Sequence, residues 1–155
     1  MTDYIIATSS TSDLPRTWLE AHGVPFIPYT YSIGETVFED DCREESRQKV
    51  YEGMRKGDFL KTAMINEFEY EEFFRSLMQE GRNVIFLDMS REMSSSFVNA
   101  GLAAEIIREE FPEQTLYIMD TLHKTVNNVQ FTAIFVKVLT GDPHNEIIPQ
   151  CFSPL

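Results

Sequence analysis

Short apolar runs alternate along this chain with longer amphipathic stretches, and the alternation predicts strands and helices in turn. Strands are predicted at 4–8, 24–29, 83–89 and 115–119, and a small hairpin at 31–38. Helices are predicted at 16–22, 43–56, 66–79 and 94–110. This order is typical of an α/β domain with a mostly parallel sheet.

Local signals fix where several of these elements end. Gly23, Gly57 and Gly81 each follow a helical stretch, where glycine is the usual C-terminal residue. Asn66, with a glutamate three residues later, predicts a capping box. Gly34 suits the first position of a type II′ turn.

The C-terminal part of the chain is less regular. The segment 128–139 is compatible with a helix or a buried strand, and 142–148 has the features of a helix start. We therefore predict one domain over residues 1–141 and a divergent or truncated tail over 142–155.

The net charge and the composition exclude several classes of partner. The formal charge is −12, with 13 basic against 25 acidic residues, which argues against nucleic acid and against anionic lipid surfaces as partners. There is no signal-peptide pattern and no run of about 20 apolar residues. Cys42 and Cys151 have no metal-like spacing and are expected to be free thiols. A cytoplasmic location is expected.

Hydroxyl side chains gather where predicted strands end. They are Ser10, Thr11, Ser94, Ser95, Ser96 and Thr125. Thr62, in the extended KTAM stretch, is expected to reach the same edge of the sheet. Helix N-termini at such an edge attract anions, so the set predicts a site for a carboxylate or phosphate. The alternative is that each residue is an ordinary helix cap or turn residue.

Other chemistry is poorly supported. Ser94, Asp120 and His123 follow the order of an α/β-hydrolase triad, but the glycines of the nucleophile elbow are missing. The three histidines show no metal-ligand spacing, and no phosphate-binding or dinucleotide fingerprint is present. We expect no cofactor and no enzymatic activity.

Five segments in register resemble the DegV family of bacterial fatty-acid-binding proteins. They are IIATSSTSDLP (5–15), VPFIPYTYSIGETVFED (24–40), KTAMIN (61–66), MSREMSSSFVNA (89–100) and IMDTL (118–122). The resemblance implies a three-layer α/β/α first domain with a mostly parallel sheet. A second domain of similar size, which such proteins usually have, would be absent here.

The resemblance also implies a ligand and a partner. Family members hold a long-chain fatty acid (C14 to C18 class) and present it to a fatty acid kinase, without being the catalyst themselves. The carboxylate ligands would be Thr62 and Ser94. Ser10, Thr11, Ser95, Ser96 and Thr125 would lie around them. Six phenylalanines are candidates for an acyl slot or for plain core packing: Phe59, Phe68, Phe73, Phe74, Phe86 and Phe97.

The chain departs from the family pattern at several positions. Ser9 stands where an aspartate is usual, Ser95 replaces a glycine, and Ala63 begins a replacement of Ser-Gln-Pro. The rival hypothesis is an incomplete, ligand-free domain that acts through a homodimer or a partner protein.

Overall fold

A computed structural model of the protein describes residues 4–89, 91 and 94–120. The strands are β1 (Tyr4–Ser9), β2 (Phe26–Ile27), β3 (Thr30–Ile33), β4 (Thr36–Glu39), β5 (Leu60–Ala63), β6 (Asn83–Asp88) and β7 (Leu116–Asp120). The helices are α1 (Arg16–Ala21), α2 (Glu44–Lys56), α3 (Glu67–Met78) and α4 (Ser96–Glu110). A short 3₁₀ turn at Ser10–Ser12 follows β1.

The predicted strands of apolar residues form one parallel sheet in the order β2-β1-β6-β7. In register, Ile5 lies beside Val84 and Phe86 lies beside Ile118. All three pairings are parallel, so all these strands point their carboxyl ends toward the same edge. The prediction of an α/β fold with a mostly parallel sheet is confirmed.

Side chains alternate between the two faces of this sheet, as strand geometry requires. Ile5 and Ala7 face α3 and α4 in one core, which includes the fully buried Tyr70, Phe74 and Phe86. Ile6 and Leu87 face the other way, into a smaller core with Leu14, Leu19 and Cys42. Helices therefore cover both faces, which gives the expected three layers.

A second sheet was not predicted as a unit. The hairpin β3–β4 pairs antiparallel with β5, in the order β4-β3-β5, and places Tyr31 opposite Thr62. Helix α2 packs on this sheet through Gly53, where an added Cβ would lie 3.1 Å from the Ile33 Cγ2 atom. The absence of a side chain at Gly53 thus brings α2 close to β3.

The local end signals act as predicted. The Glu69 amide donates to Asn66 Oδ1 at 3.0 Å, and the Asn66 amide donates to Glu69 Oε2 at 2.8 Å, which completes the capping box. Gly34 has φ 60° at the first position of the hairpin turn. Pro15 directly precedes α1 and has an extended ψ of 142°.

Several predictions fall outside the described residues. These are the segments 128–139 and 142–148, the boundary at 141, and the residues His123, Thr125 and Cys151. Within the described part, Cys42 is a free thiol that is 2% exposed. Burial raises its pKa to about 12, which makes it unreactive near neutral pH. None of the described helices combines the length and apolar character that crossing a membrane requires.

Two glycine-to-alanine changes should have opposite effects on stability. Gly57 ends α2 with φ 92°, and an added Cβ meets nothing within 4 Å, so Gly57→Ala should cost about 1 to 2 kcal/mol through backbone strain alone. Gly101 lies inside α4 with equally open space, so Gly101→Ala should add about 0.5 to 1 kcal/mol. Urea unfolding measures both, and equal signs would contradict the assigned backbone conformations.

Candidate functional site

A cavity of about 480 Å³ lies where the carboxyl edge of the parallel sheet meets the second sheet and α2. Its polar lining includes Thr11, Thr62 and Ser94. The described lining residues are Thr11, Asp13, Tyr29, Thr30, Tyr31, Asp40, Ser46, Arg47, Val50, Tyr51, Met54, Leu60, Thr62, Met89 and Ser94. Three hydroxyl residues singled out from separate parts of the sequence therefore meet in one cavity.

The serines at 94–96 have three different environments. Ser94 Oγ accepts from the Ser96 amide at 3.1 Å and donates to Ser96 Oγ at 3.0 Å. Ser96 is fully buried, and its hydroxyl also accepts from the Ile65 amide at 3.2 Å. Ser95 is exposed and makes no side-chain cap. Of the three, only Ser94 both lines the cavity and belongs to the hydrogen-bonded start of α4.

Ser96 and α4 also hold the segment that follows Thr62. The Asn99 side chain donates to the Ile65 carbonyl at 2.8 Å, and Ser96 Oγ accepts a hydrogen bond from the Ile65 amide. Both backbone groups of Ile65 are thus bound by the first turn of α4. This anchoring fixes the end of β5, and with it Thr62, relative to Ser94.

Of the hydroxyl residues that follow β1, Ser10 makes a structural contact and Thr11 lines the cavity. Ser10 is buried, and its Oγ accepts from the Tyr29 amide at 3.0 Å. It therefore links the turn after β1 to the segment between β2 and β3. Thr11 lines the cavity, with its hydroxyl 2.6 Å from Ser9 Oγ. Thr125 lies outside the described residues.

A buried carboxylate, Asp88, lies at the end of β6. Ser9 Oγ donates to its Oδ1 at 2.7 Å, the Met89 amide donates to the same oxygen at 2.8 Å, and the Tyr70 hydroxyl donates to Oδ2 at 2.7 Å. Burial raises the pKa of Asp88 although these donors act in the opposite direction. The aspartate that the family resemblance places at position 9 is a serine here, and that serine binds a carboxylate supplied by the neighbouring strand.

The charges around the cavity are mainly acidic. Asp13 and Asp40 line it, and Arg47 is the basic residue among the described lining residues. Arg47 Nη2 lies 3.0 Å from Asp13 Oδ1, and its Nη1 lies 3.9 Å from Glu44 Oε2. The guanidinium is therefore already paired, and an anion in this cavity would depend mainly on hydroxyl and amide donors.

The apolar wall differs from the one considered in the sequence. None of the six phenylalanines is among the described lining residues. Phe74 and Phe86 are fully buried core residues, whereas Phe59 and Phe68 are 83% and 67% exposed. Of the two alternatives, core packing therefore applies to Phe74 and Phe86. The apolar lining of the cavity comes from Tyr31, Val50, Tyr51, Met54, Leu60 and Met89.

Sequence reasoning missed the contributions of α2 and Tyr29. Val50 and Met54 are four residues apart on an otherwise polar helix, a spacing that places both on one face, and this was the available signal. Tyr29 was treated only as part of an extended segment. Its hydroxyl is buried and has no hydrogen-bond partner in the described part of the chain.

The hydrolase and metal hypotheses gain nothing from the geometry. Asp120 Oδ2 lies 2.6 Å from Arg91 Nε, in an ion pair, and His123 is outside the described residues. Among the described residues, no three or more His, Cys, Asp or Glu side chains are arranged to hold a metal ion.

Comparison with known proteins agrees with the family resemblance that the sequence shows. Residues 4–148 match the model of the DegV family. A DegV domain-containing protein from Streptococcus pyogenes is 30% identical over 120 residues, which are 77% of this chain and 42% of that protein. The chain thus spans less than half the length of this curated relative.

The fold is also similar to that of solved structures, two of which are described as fatty-acid-binding or fatty-acid-loaded proteins. A stearic acid-binding protein from Eubacterium ventriosum matches with a TM-score of 0.71 and 27% identity, over 90% of this chain and 48% of that one. The Fatty Acid Kinase (Fak) B3 protein of Streptococcus pneumoniae, loaded with linoleic acid, matches with a TM-score of 0.66 and 21% identity, over 90% and 47% of the two chains. The second likeness shows the fold alone.

The pH dependence of stability should report on Asp88. Because its pKa is raised above the ordinary 3.8, the folded state holds this proton more tightly than the unfolded state. Its contribution to stability is therefore greatest below pH 3.8 and decreases as the pH rises from there through the folded-state pKa. Asp88→Asn removes this titration, so the stability of the wild type relative to the variant should fall across that window.

Urea unfolding from pH 3 to pH 8 measures the difference between the two proteins. A relative stability that rises with pH would contradict the raised pKa. Asp88→Ala should instead cost about 2 to 4 kcal/mol throughout, because it leaves buried donors of Ser9, Tyr70 and Met89 without their acceptor.

Proposed function

Since this chain belongs to the DegV family, we propose that it binds a long-chain fatty acid of the C14 to C18 class in the cavity between the two sheets and α2. The carboxylate accepts hydrogen bonds from the hydroxyls of Thr62 and Ser94. The observation that carries the proposal is that these two residues, 32 positions apart in the sequence, line the same cavity together with an apolar wall.

The chemistry of the polar lining suits a carboxylate. Ser94 stands at the start of the 15-residue helix α4, whose N-terminus carries about half a positive charge. Thr62 contributes a hydroxyl from β5, which belongs to the second sheet. Hydrogen bonds to a charged acceptor are each worth about 1.5 to 3 kcal/mol, so two donors can hold a carboxylate without an unpaired cation.

The size and apolar lining suit an acyl chain. A volume of about 480 Å³ falls in the range of small-molecule sites, which is about 300 to 1,000 Å³. Burial contributes about 0.8 kcal/mol per CH₂ group, or about 10 kcal/mol for a C16 chain before the costs of association. The aliphatic surfaces of Val50, Met54 and Leu60 are the contacts that we assign to the chain.

The role that fits such a site is carriage rather than catalysis. The similar Streptococcus pneumoniae protein is described as a fatty acid kinase component, and we propose that this chain likewise presents its ligand to a kinase. The Ser94 hydroxyl donates to Ser96 and is assigned the part of a hydrogen-bond donor, not of a nucleophile.

Self-association is a second candidate function. Four large apolar side chains on or beside β4, β5 and the start of α3 are more than half exposed: Val37, Phe59, Met64 and Phe68. Such exposure marks surfaces that contact other proteins. Sedimentation of the 155-residue chain at high concentration, with and without oleate, distinguishes a homodimer from a monomeric carrier.

Substitution of the two hydroxyls tests the head-group assignment. Ser94→Ala should raise the Kd for oleate at least about tenfold, because one hydrogen bond to a charged group is lost. It should also cost about 1 kcal/mol of stability, since Ser94 accepts the Ser96 amide. Ser95→Ala is the matched control, and both quantities should be unchanged.

Thr62 offers a pair of variants at one position. Thr62→Val keeps the β-branched shape that suits β5 but removes the hydroxyl, whereas Thr62→Ser keeps the hydroxyl. Calorimetric titration with oleate should show weakened binding for Thr62→Val only. Mass spectrometry of an organic extract of the purified protein identifies any co-purified acid, and full affinity in both Ser94→Ala and Thr62→Val would refute the assignment.

A further inference from the structure

A chain of hydrogen-bonded oxygen atoms connects the cavity with the buried carboxylate of Asp88. Thr11 lines the cavity, and its Oγ1 lies 2.6 Å from Ser9 Oγ. Ser9 Oγ in turn lies 2.7 Å from Asp88 Oδ1. Ser9 and Asp88 are both fully buried. Thr11 is therefore the member of this chain that lines the cavity.

The direction of these hydrogen bonds depends on the charge of Asp88. An ionised carboxylate only accepts hydrogen bonds, so Ser9 donates its one hydrogen to Asp88. Thr11 must then donate to Ser9, and its hydroxyl offers only lone pairs to the cavity. The oxygen positions also allow the opposite direction, since either oxygen of the Ser9–Thr11 pair can be the donor.

A proton on Asp88 Oδ1 reverses both hydrogen bonds of the chain. Asp88 then donates to Ser9, Ser9 donates to Thr11, and the Thr11 hydrogen is free to point into the cavity. The Met89 amide and the Tyr70 hydroxyl keep their acceptors, which are the second lone pair of Oδ1 and the oxygen Oδ2. The proton is therefore accommodated without the loss of a hydrogen bond.

The other groups around Asp88 are neutral or paired. Burial raises the pKa of Asp88 itself and outweighs the donors that bind it. Tyr70 faces it from α3 and Tyr29 from the segment between β2 and β3. Burial, and then the charge of Asp88, raises the pKa of each tyrosine, so both hydroxyls stay neutral. Asp120 lies beside Asp88 in register on β7 and is paired with Arg91 at 2.6 Å.

A bound carboxylate requires donors, and this step rests on the proposed function. We propose that Thr11 is a third contact of the ligand carboxylate, and that Ser9 and Asp88 are positioning residues that make its hydroxyl a donor when Asp88 is protonated. Binding of the carboxylate is thereby coupled to the uptake of one proton.

The uptake leaves every hydroxyl with one hydrogen. The proton comes from water and binds Thr11 Oγ1 at the cavity. Thr11 passes its former hydrogen to Ser9, and Ser9 passes its own to Asp88 Oδ1. The added positive charge therefore ends on the carboxylate of Asp88, and the new Thr11 hydrogen faces the ligand.

The ionisation of Asp88 can be followed by NMR of its carboxyl carbon during a pH titration. Because binding and protonation are linked reciprocally, oleate should raise the pKa of Asp88 by about one, which corresponds to tenfold tighter binding to the protonated form. Thr11→Val removes the hydroxyl and should abolish most of this rise. Thr11→Ser is the matched control, since it keeps the hydroxyl and should keep the rise.

The comparison of these variants separates the relay from simple repulsion between two carboxylates. Repulsion alone would raise the pKa of Asp88 equally in the wild type, Thr11→Val and Thr11→Ser. An equal rise in all three proteins, or no rise in the wild type, would therefore overturn the inference.

The affinity for oleate gives an independent measure of the same coupling. In calorimetric titrations across the pH range in which Asp88 ionises, the wild-type Kd should rise with pH, by up to about tenfold per pH unit. Asp88→Asn removes the titrating group, so this dependence should disappear. The same pH dependence in both proteins would contradict the coupling. A wild type that fails to bind oleate at any pH would instead refute the proposed function.

Discussion

The buried carboxylate of Asp88 is the interaction on which the arrangement of the site depends. It collects donors from β1 through Ser9, from α3 through Tyr70 and from the backbone of Met89. Burying a carboxylate without these partners would cost several kcal/mol. The three hydrogen bonds therefore hold β1, α3 and the residue after β6 in fixed positions around Asp88. Thr11 and Met89, which both line the cavity, are direct neighbours of this network.

A second constraint is that the described lining contains acids but no unpaired cation. Arg47 is bound to Asp13, and Asp40 adds further negative charge. Recognition of an anion here must therefore come from directional donors and the α4 dipole, with long-range attraction contributing little. The proposed site would therefore distinguish ligands by the geometry of their acceptor groups and by the apolar area of their chains.

The sequence was informative wherever the determinant is local. The apolar runs of β1 and β6, the Asn66 capping box and the glycine after α2 lie within one element each, and each was read correctly. The Ser9–Asp88 contact joins residues 79 positions apart. No local pattern in either segment predicts that they meet. The pairing of β3 with β5 was missed for the same reason, since it joins segments that are distant in the sequence, such as Tyr31 and Thr62. The resemblance placed Thr62 and Ser94 near a common ligand, but only the fold shows the apolar wall behind them.

The run of three serines shows how one short stretch serves both the fold and the proposed function. Ser94 Oγ accepts the Ser96 amide through a lone pair, whereas its donation uses the hydroxyl hydrogen. These two bonds are independent, because rotation about the Cβ–Oγ bond moves the hydrogen and leaves the oxygen in place. In the proposed complex, Ser94 therefore turns its hydrogen from Ser96 Oγ to the carboxylate, while Ser94 Oγ still accepts the Ser96 amide. The proposed binding mode then changes the direction of one hydroxyl hydrogen and requires no movement of α4.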